Sequence, residues 1–573
     1  MATKWWQNDV VYQVYPRSFQ DSNHDGIGDI PGIISRLDYI KSLGVTMIWI
    51  SPIYKSPMVD MGYDIADYQA IDPQFGTLDD FKTLLAEAKK RDIKIIMDLV
   101  VNHTSDQHEW FQDALANPDS PYRDFYIFKK TNNGEAPNNW RGIFGGSTWE
   151  PVPGEDGTYY FHTFAKQQPD LNWENPKLRR AIYDMINWWL ELGVAGFRVD
   201  AITHIKKDLD WASIPADDVD GLASVVKKGR NRPGVGEFLT ELKQETFDKY
   251  DAVTVGEAYG LADSELEKFV GEDGYFSMVF DFSYMNIEVK NGDEWYRGRA
   301  DWTPVDLRNA FFNAQEATAA AHGSLANVLE NHDQPRVLSK LVTDPQYQTP
   351  QAAKALGTMY YFLPGVPFIY QGQEIGMKNF ERKSIDEFND VSSINNYETA
   401  LQDGYSSEDA LLAVNQKSRD NARTPMQWDD SEFGGFSDAT PWLAMGTDRE
   451  GINVAAEEND SQSVLKYYQA LGELHHDAAW EPVIVNGDFQ PMRSLPETVV
   501  GYQRRLGQKV LTVLVNLSPK SARFSLVQTG DVLEQVGEVQ LTKQRVKMSA
   551  YSAIVLGNKP DRKSTRLNSS HAR

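Results

Sequence analysis

The stretch GFRVDA, residues 196–201, reads as a buried β-strand that ends on an acidic residue, Asp200. Two further stretches deliver an acid in the same way, and these are TVGEA (254–258) with Glu257 and ENHDQPR (330–336) with Asp333. Carboxylates presented by three strands of one sheet are the groups needed for acid/base and nucleophilic work on a sugar bond. No phosphate-binding loop, catalytic cysteine or nucleotide fingerprint competes with them in the sequence.

Apolar runs of strand length recur along the chain, and eight of them are candidate strands. They are VVYQVY from Val10, MIWIS from Met47, IKIIMDLVV from Ile93, GFRVDAI from Gly196, AVTVGEA from Ala252, FSMVFDF from Phe276, LANVLEN from Leu325 and VPFIYQG from Val366. Helical patterns separate most of them, such as PKLRRAIYDMINWWLELG, which opens at Asn175-Pro176 and closes at Gly193. The alternation predicts an α/β fold, a (β/α)8 TIM barrel with its active site at the carboxyl ends of the strands.

Long connections divide the chain into further units. Residues 104–173 form an aromatic, Gly- and Pro-rich insertion after the third strand, which we expect to be an inserted subdomain B walling one side of the pocket. Residues 376–451 are expected to be a polar and irregular excursion, and residues 482–558 a C-terminal antiparallel β-sandwich. The catalytic barrel would then comprise 1–103 and 174–481, and the basic tail 559–573 resembles a vector-derived read-through that carries no function.

Composition narrows the classes of function. The 573 residues, 41% of them hydrophobic, are enough for a multidomain folded protein. The absence of cysteine removes disulfides, thiolate metal sites and cysteine nucleophiles. A formal charge of −25 argues against a nucleic-acid partner. Neither a signal-peptide pattern nor an apolar run of about 18 residues occurs, so we expect no membrane partner and a cytoplasmic location.

Five motifs appear in order, namely DLVVNH (98–103), QPDLNW (168–173), GFRVD, VGEA and ENHD. With this set the chain resembles the α-amylase superfamily, glycoside hydrolase family 13, in its oligo-1,6-glucosidase and α-glucosidase branch, over all but the tail. The resemblance implies a retaining mechanism with Asp200 as nucleophile, Glu257 as general acid/base and Asp333 holding the distorted sugar. Arg198, on the same strand face as Asp200, would keep that carboxylate ionised and oriented. Taken singly, each acid could instead be a strand-end ion pair.

The resemblance also supplies candidate substrate-binding residues. Asp60 and Tyr63 would grip the terminal glucose, which implies exo action in a blind pocket. The other candidates are His103 and His332 as donors to hydroxyls, Arg423 as a further pocket residue with Arg419 as the alternative arginine, and Phe144, Phe164 and Phe282 at the entrance and leaving-group side. Each histidine could otherwise be a satisfied buried imidazole, and each phenylalanine ordinary core.

The loop DSNHDGIGD (21–29) alternates oxygen-bearing residues. Its candidate ligands are Asp21, Asn23, Asp25, the Ile27 carbonyl and Asp29. The twelfth position is Gly32, where an EF-hand requires a bidentate glutamate, so a true EF-hand is excluded. Because the loop resembles a structural calcium site of this branch, we expect Ca²⁺, with Mg²⁺ possible in its place and an Asx-rich turn as the alternative.

The residue after the nucleophile bears on the substrate. Relatives that prefer α-1,6 bonds typically carry valine there, whereas this chain has Ala201. We therefore expect an exo-acting α-glucosidase that releases glucose from maltose and short oligosaccharides, with α-1,4 bonds favoured, α-1,6 possible, and transglucosylation. The alternatives are an oligo-1,6-glucosidase or dextran glucosidase, a trehalose-6-phosphate hydrolase, a sucrose isomerase and a non-catalytic scaffold. The expected partner is a small oligosaccharide, and the expected state a monomer or weak homo-oligomer.

Overall fold

In the computed structural model, residues 4–290, 294–526, 530–542 and 544–558 are described. All eight expected strands are present and close into one parallel barrel, in which each pairs with its sequence neighbours and the last pairs with the first. The α/β barrel prediction is therefore confirmed. The strands are β1 (Val11–Val14), β2 (Met47–Ile50), β3 (Lys94–Leu99), β4 (Gly196–Val199), β5 (Val253–Gly256), β6 (Met278–Phe280), β7 (Leu325–Asn327) and β8 (Val366–Tyr370).

The barrel strands are almost wholly buried because helices cover their outer face and side chains fill the interior. Helix Pro176–Leu192 illustrates the local signals: the Asn175 side chain accepts the N–H of Lys177, and Gly193 ends the helix at φ 113°. The other helices up to β8 are Ile30–Ser35, Leu37–Ser42, Leu78–Lys90, Glu109–Ala116, Val226–Gly229, Val235–Glu245, Phe247–Tyr250, Leu266–Val270, Phe282–Met285, Pro304–Ala320, Val337–Leu341 and Pro350–Tyr361.

The insertion after β3 is built on a small antiparallel sheet of strands Phe128–Lys130, Thr158–Phe161 and Trp149–Pro151. Its strand Trp140–Arg141 pairs with Ala223–Ser224, which follows β4 in the chain. The apolar cluster of this region joins Ile127, Trp140, Trp149 and Phe161 to Val225. The wall beside the barrel thus includes residues beyond 104–173, and the bounds of subdomain B stay a prediction.

The segment after β8 is more regular than its sequence indicates. Helices Val391–Gln402 and Ser407–Lys417 form a hairpin, capped by the side chains of Asp390 and Ser406. The expectation of an irregular excursion is therefore wrong in this part. The reason is that few side chains of the hairpin are buried, so no apolar period marks either helix. The remaining helices are Asp420–Arg423, Val454–Glu458, Val464–His475 and Glu481–Asn486.

The C-terminal region is an antiparallel sheet domain, as expected. Its larger sheet runs in the order Asp488–Pro491, Val499–Leu506, Lys509–Asn516, Ala553–Asn558 and Asp531–Val536, and its smaller sheet in the order Ala522–Ser525, Arg545–Met548 and Val539–Leu541. An apolar cluster joins the two sheets, with Leu514 and Ile554 from the first and Val546 and Met548 from the second. Within the described residues, no helix is both long and apolar enough to cross a lipid bilayer. The tail 559–573 lies outside the described residues.

Candidate active site

A cavity of about 510 Å³ opens at the carboxyl ends of the barrel strands. Most of the sequence-predicted site residues line it, because the ends of parallel strands meet at one edge. From that set the lining contains Asp60, Tyr63, His103, Phe144, Phe164, Asp200, Glu257 and Asp333. The sequence reasoning missed most of the other lining residues, which are Ile143, Ala201, His204, Ser224, Val226, Arg230, Tyr259, Asn286, Val289, Trp295, Gln334, Ser392, Lys417 and Arg419.

Arg198 lies beneath the floor of this cavity and joins three carboxylates. Its Nη1 lies 2.5 Å from Asp200 Oδ1 and 2.7 Å from Asp98 Oδ1, and its Nη2 lies 3.0 Å from Glu257 Oε1. The guanidinium is 1% exposed, so water does not screen these pairs. One rigid, planar group therefore fixes the positions of Asp200 and Glu257 relative to each other.

Burial and charge act in opposite directions on the protonation of Asp200 and Glu257. Burial raises the pKa of Glu257 to about 7, against the lowering charge of Arg198. Burial also raises the pKa of Asp200 to about 7, although Arg198 lowers it. Because Arg198 also pairs with Asp98, its charge does not fully offset the effect of burial on the pKa of Asp200. Asp200 and Glu257 therefore titrate as a pair, with a proton to be held between them near neutral pH.

Asp333 has the opposite electrostatic environment. It accepts from Arg423 Nη2 at 3.0 Å and Arg419 Nη1 at 3.3 Å, and its Oδ2 lies 3.1 Å from His332 Nε2. Burial would raise its pKa, but His332 and the two arginines hold the pKa of Asp333 well below its ordinary value. A carboxylate that stays ionised beside a pair that shares a proton is suited to binding hydroxyls.

Hydrogen-bond direction fixes the tautomer of His332. Asp333 Oδ2, an ionised carboxylate oxygen that can only accept, lies 3.1 Å from His332 Nε2, so Nε2 carries the proton. Burial lowers the pKa of His332, and the neutral ring then accepts at Nδ1 from Gln13 Nε2 at 2.9 Å. That Nε2–H faces Asp333, and the Tyr63 hydroxyl, 2.6 Å from Nε2, donates to Asp98 Oδ2 at 2.9 Å. His332 is fully buried and lies behind the cavity, so it orients Asp333 instead of lining the pocket.

An ion pair forms part of the cavity lining. Arg419 Nη2 lies 3.0 Å from Asp60 Oδ1, and the same arginine contacts Asp333 and Asp390. The Gln168 amide donates to the other Asp60 oxygen at 3.1 Å and lies 3.3 Å from His103 Nε2. Arg419 therefore lines the pocket.

Arg423, the arginine chosen from the sequence, is fully buried behind Asp333 and donates to the His332 carbonyl. It lies outside the cavity lining. The local sequence could not separate these two arginines, because they are only four residues apart on one short helical segment.

The three predicted aromatic residues take different positions. Phe164 packs against His103, with ring centroids 5.1 Å apart, and Phe144 packs against Phe164 at 5.6 Å. Both line the cavity. Phe282 does not, because its ring is stacked on Tyr259, and Tyr259 is the residue that faces the cavity. Tyr259, and not Phe282 as expected, therefore lines the pocket on this side.

Ala201 has a strained backbone conformation, and its backbone N–H donates a hydrogen bond to Glu257. Its φ of 42° lies in the left-handed region, which β-branched residues rarely adopt. Its N–H donates to Glu257 Oε2 at 2.8 Å. Ala201 also lines the cavity, so it forms part of the wall and at the same time contacts Glu257.

The loop 21–29 closes on itself. Asp21 accepts the N–H groups of Asn23, His24 and Gly26, and Asp29 caps helix Ile30–Ser35. Asp25 Oδ1 accepts the N–H of Ile27, and each carboxylate oxygen keeps a further lone pair that a cation could use. Within the described ranges, no group of three or more His, Cys, Asp or Glu side chains is placed to hold a metal ion. The candidate set also includes the Asn23 amide and the Ile27 carbonyl, and calcium at this loop stays a prediction.

A parallel barrel whose strand ends present a close pair of carboxyl groups and a third carboxylate has the groups that a glycoside hydrolase requires. The model of the α-amylase catalytic domain matches residues 13–481. An oligo-1,6-glucosidase of Parageobacillus thermoglucosidasius is 44% identical over 92% of both chains. A glucan 1,6-α-glucosidase of Streptococcus pneumoniae is 43% identical over 90% of this chain and 92% of that one. The crystal structure of a Bacillus licheniformis trehalose-6-phosphate hydrolase covers 97% of this chain and is fully covered, with a TM-score of 0.88 and 38% identity.

The chain therefore belongs to the α-amylase family, glycoside hydrolase family 13, and is an enzyme of its α-glucosidase type.

Proposed function

We propose that this protein is an exo-acting, retaining α-glucosidase that removes glucose from the non-reducing end of short gluco-oligosaccharides and prefers α-1,6 bonds. The observation that carries the proposal is the pair of carboxyl groups on one guanidinium: Asp200 on Nη1 and Glu257 on Nη2 of Arg198. Groups held this way lie side by side. That fits the short carboxyl separation of retaining enzymes, about 5–5.5 Å, better than the roughly 6.5–9.5 Å that leaves room for a water in inverting enzymes.

The chemistry follows from these positions. Asp200 attacks the anomeric carbon, the glycosidic C–O bond breaks, and Glu257 gives its proton to the leaving oxygen. Water then attacks the same carbon, Glu257 takes the water's proton, and the ester to Asp200 breaks. A sugar hydroxyl in place of that water would give transglucosylation. The anion of Asp333 accepts hydrogen bonds from hydroxyls of the reacting glucose.

Exo action is inferred from the ion pair in the cavity lining. In this proposal the Asp60–Arg419 pair, with Gln168 bonded to Asp60, would occupy the space that a preceding sugar needs. A buried, charged pair is costly to open, so only a chain end can enter this side. The reacting glucose would lie against Asp60 and the second unit against the wider part of the cavity.

The linkage preference rests on the relatives. Proteins 44% and 43% identical to this chain carry names for α-1,6 bonds, which supports the alternative to the α-1,4 preference inferred from Ala201. The small side chain at 201 still widens the wall. A wall difference of this size is worth only about 1–3 kcal/mol, so cleavage of both bonds is expected, with α-1,6 faster.

The first experiment measures glucose release from isomaltose, maltose, sucrose, trehalose and trehalose 6-phosphate, side by side, with the purified chain. We expect isomaltose to give the highest kcat/KM. On α-glucosyl fluoride, whose leaving group is not a sugar, we expect α-glucose to be the first anomer seen by NMR. Faster maltose cleavage would return the α-1,4 preference, and cleavage of the phosphorylated sugar alone would replace the proposal by a trehalose-6-phosphate hydrolase. β-Glucose as the first product would overturn the assignment of Asp200 as nucleophile.

A matched pair of variants tests the wall. Ala201→Gly removes the methyl group without strain at positive φ, and Ala201→Val enlarges it. We expect the isomaltose-to-maltose ratio of kcat/KM to fall in the first and rise in the second, by roughly fivefold or more in total. Because valine is strained at this backbone position, thermal unfolding is measured alongside. An unchanged ratio in both would remove the wall as a determinant.

Cytoplasmic location and a monomeric or weakly oligomeric state stay predictions.

A further inference from the structure

A buried lysine behind the wide part of the cavity has no role in the mechanism above. Lys340, in helix Val337–Leu341, is 2% exposed, and its ammonium donates to the Met285 carbonyl at 2.9 Å and to Gln334 Oε1 at 3.2 Å. Burial lowers its pKa to about 8, opposed by the charge of Glu288, so it remains largely an ammonium at neutral pH. Burying a cation is costly unless its neighbours accept hydrogen bonds from it, as the Met285 carbonyl and Gln334 do here.

The lysine fixes the direction of a chain of hydrogen bonds. An ammonium can only donate, so Gln334 must turn its carbonyl oxygen towards Lys340 and its NH₂ group away. That NH₂ donates to Asn286 Oδ1 at 3.1 Å. Asn286 must therefore accept with its oxygen, and its own NH₂ is left on the other side. The cation thus sets the orientation of both amide groups.

The last member of this hydrogen-bond series, Asn286, reaches the cavity. Gln334 and Asn286 both line it, Gln334 being the residue after Asp333 and Asn286 following the short helix behind β6. Across the parts of the chain that the structure describes, no hydrogen bond from Asn286 Nδ2 to protein is present. Strand β6 is the neighbour of β5, which carries the proposed acid Glu257, so this donor lies on the side where the leaving sugar must be protonated.

We infer that Lys340 is a positioning residue for the leaving sugar: through Gln334 it aims the Asn286 N–H donor at a hydroxyl oxygen of the second sugar unit. The inference rests on the proposed function and deepens it, since it names the partner of this wall as a sugar hydroxyl. The inference applies to the leaving sugar only, because the hydrogen-bonded side chains of Lys340, Gln334 and Asn286 are not bonded to Asp60 or Arg419.

The test compares two substrates that transfer the same glucosyl group. Isomaltose has a second sugar, whereas α-glucosyl fluoride has a single-atom leaving group and cannot use Asn286. For Lys340→Met in the full chain we expect kcat/KM on isomaltose to fall about five- to tenfold, the worth of one hydrogen bond, with less than a twofold change on the fluoride. Asn286→Ala should give the same split, and the double variant no further loss, because both break one chain.

Two further variants make the result decisive. Asn286→Asp keeps the oxygen for Gln334 but lacks the donor, so it should lose isomaltose activity like Asn286→Ala and does not depend on whether Lys340→Met folds. Lys354→Met is the matched control, since its ammonium donates to the Gln462 carbonyl away from the cavity.

Equal losses on both substrates would show a purely structural lysine and overturn the inference, as would full isomaltose activity in Asn286→Asp. Either result leaves the proposed function intact. That function fails separately, if the wild-type protein cleaves neither substrate.

Discussion

The cavity floor and the loop 21–29 are both rich in acids, yet they serve different ends. On the floor, Asp200 and Glu257 contact Arg198 and are buried, and their pKa values rise to about 7. In the loop, partial burial would raise the pKa of Asp21, but the hydroxyl of Ser437 and three backbone N–H groups lower it. Acids that share one buried cation can hold a proton near neutral pH. Acids that accept backbone N–H groups instead stay ionised and stabilise the conformation of the loop.

The largest expected effect comes from the floor. Glu257→Gln and Asp200→Ala should each reduce kcat on isomaltose by about 10³-fold or more, with thermal unfolding little changed. On α-glucosyl fluoride, whose leaving group needs little protonation, Glu257→Gln should recover much of its activity and Asp200→Ala none.

Asp25→Asn in the loop is the control and should leave both activities unchanged. Near-normal turnover in either floor variant would remove that residue from the mechanism. Equal silence of both on the fluoride would contradict the division of roles between them.

The next effect concerns Asp390, a buried acid that belongs to neither region. It accepts from Arg419 Nε at 2.8 Å and caps the helix Val391–Gln402, so it combines both kinds of contact. Asp390→Asn keeps the cap but removes the charge, and should raise KM for isomaltose roughly ten- to hundredfold by loosening Arg419. Kinetics on isomaltose measure this.

The control is Asp409→Asn, an exposed acid at the start of the neighbouring helix. A fall in kcat alone, or no change, would show that Asp390 acts only as a cap.

The pH profile sharpens the contrast further. Because Asp200 and Glu257 have raised pKa values near 7 and must hold one proton between them, kcat/KM should fall about tenfold per pH unit well above pH 7, where that proton is lost. It should also fall on the acid side, where both carboxyls are protonated.

Glu257→Gln on α-glucosyl fluoride should lose the alkaline limb, because the group that must be protonated is gone. A flat profile from pH 5 to 9 would contradict a shared proton.

The smallest expected effect lies in the loop. Asp29→Ala removes the acceptor of the Gly32 N–H at the start of a helix and should cost about 1 kcal/mol of unfolding free energy, with kcat unchanged. Thermal unfolding with and without a chelator measures it, and we expect the same midpoint shift in both. A midpoint that falls on chelation and recovers with Ca²⁺ would restore the calcium site and break the contrast between the two regions.

The sequence predicted the floor because its signals are local. Each acid directly follows a buried strand, and parallel strands bring their carboxyl ends together, so β4, β5 and the segment after β7 had to meet. Partners distant in the chain gave no such signal. Arg419 contacts Asp60 across 359 positions, and nothing in either local sequence links them. The same holds for the helical hairpin, whose mostly exposed faces carry no apolar period, and for Tyr259 in place of Phe282.

The left-handed turn at Ala201 ties two properties of the enzyme together. Ala201 forms part of the wall that would meet the second sugar, while its N–H donates to Glu257, the proposed acid for the bond to that sugar. Any replacement that shifts the backbone from φ 42° also shifts this hydrogen bond, which favours the charged form of Glu257. A substitution at Ala201 should therefore change the linkage preference and the pKa of Glu257 together.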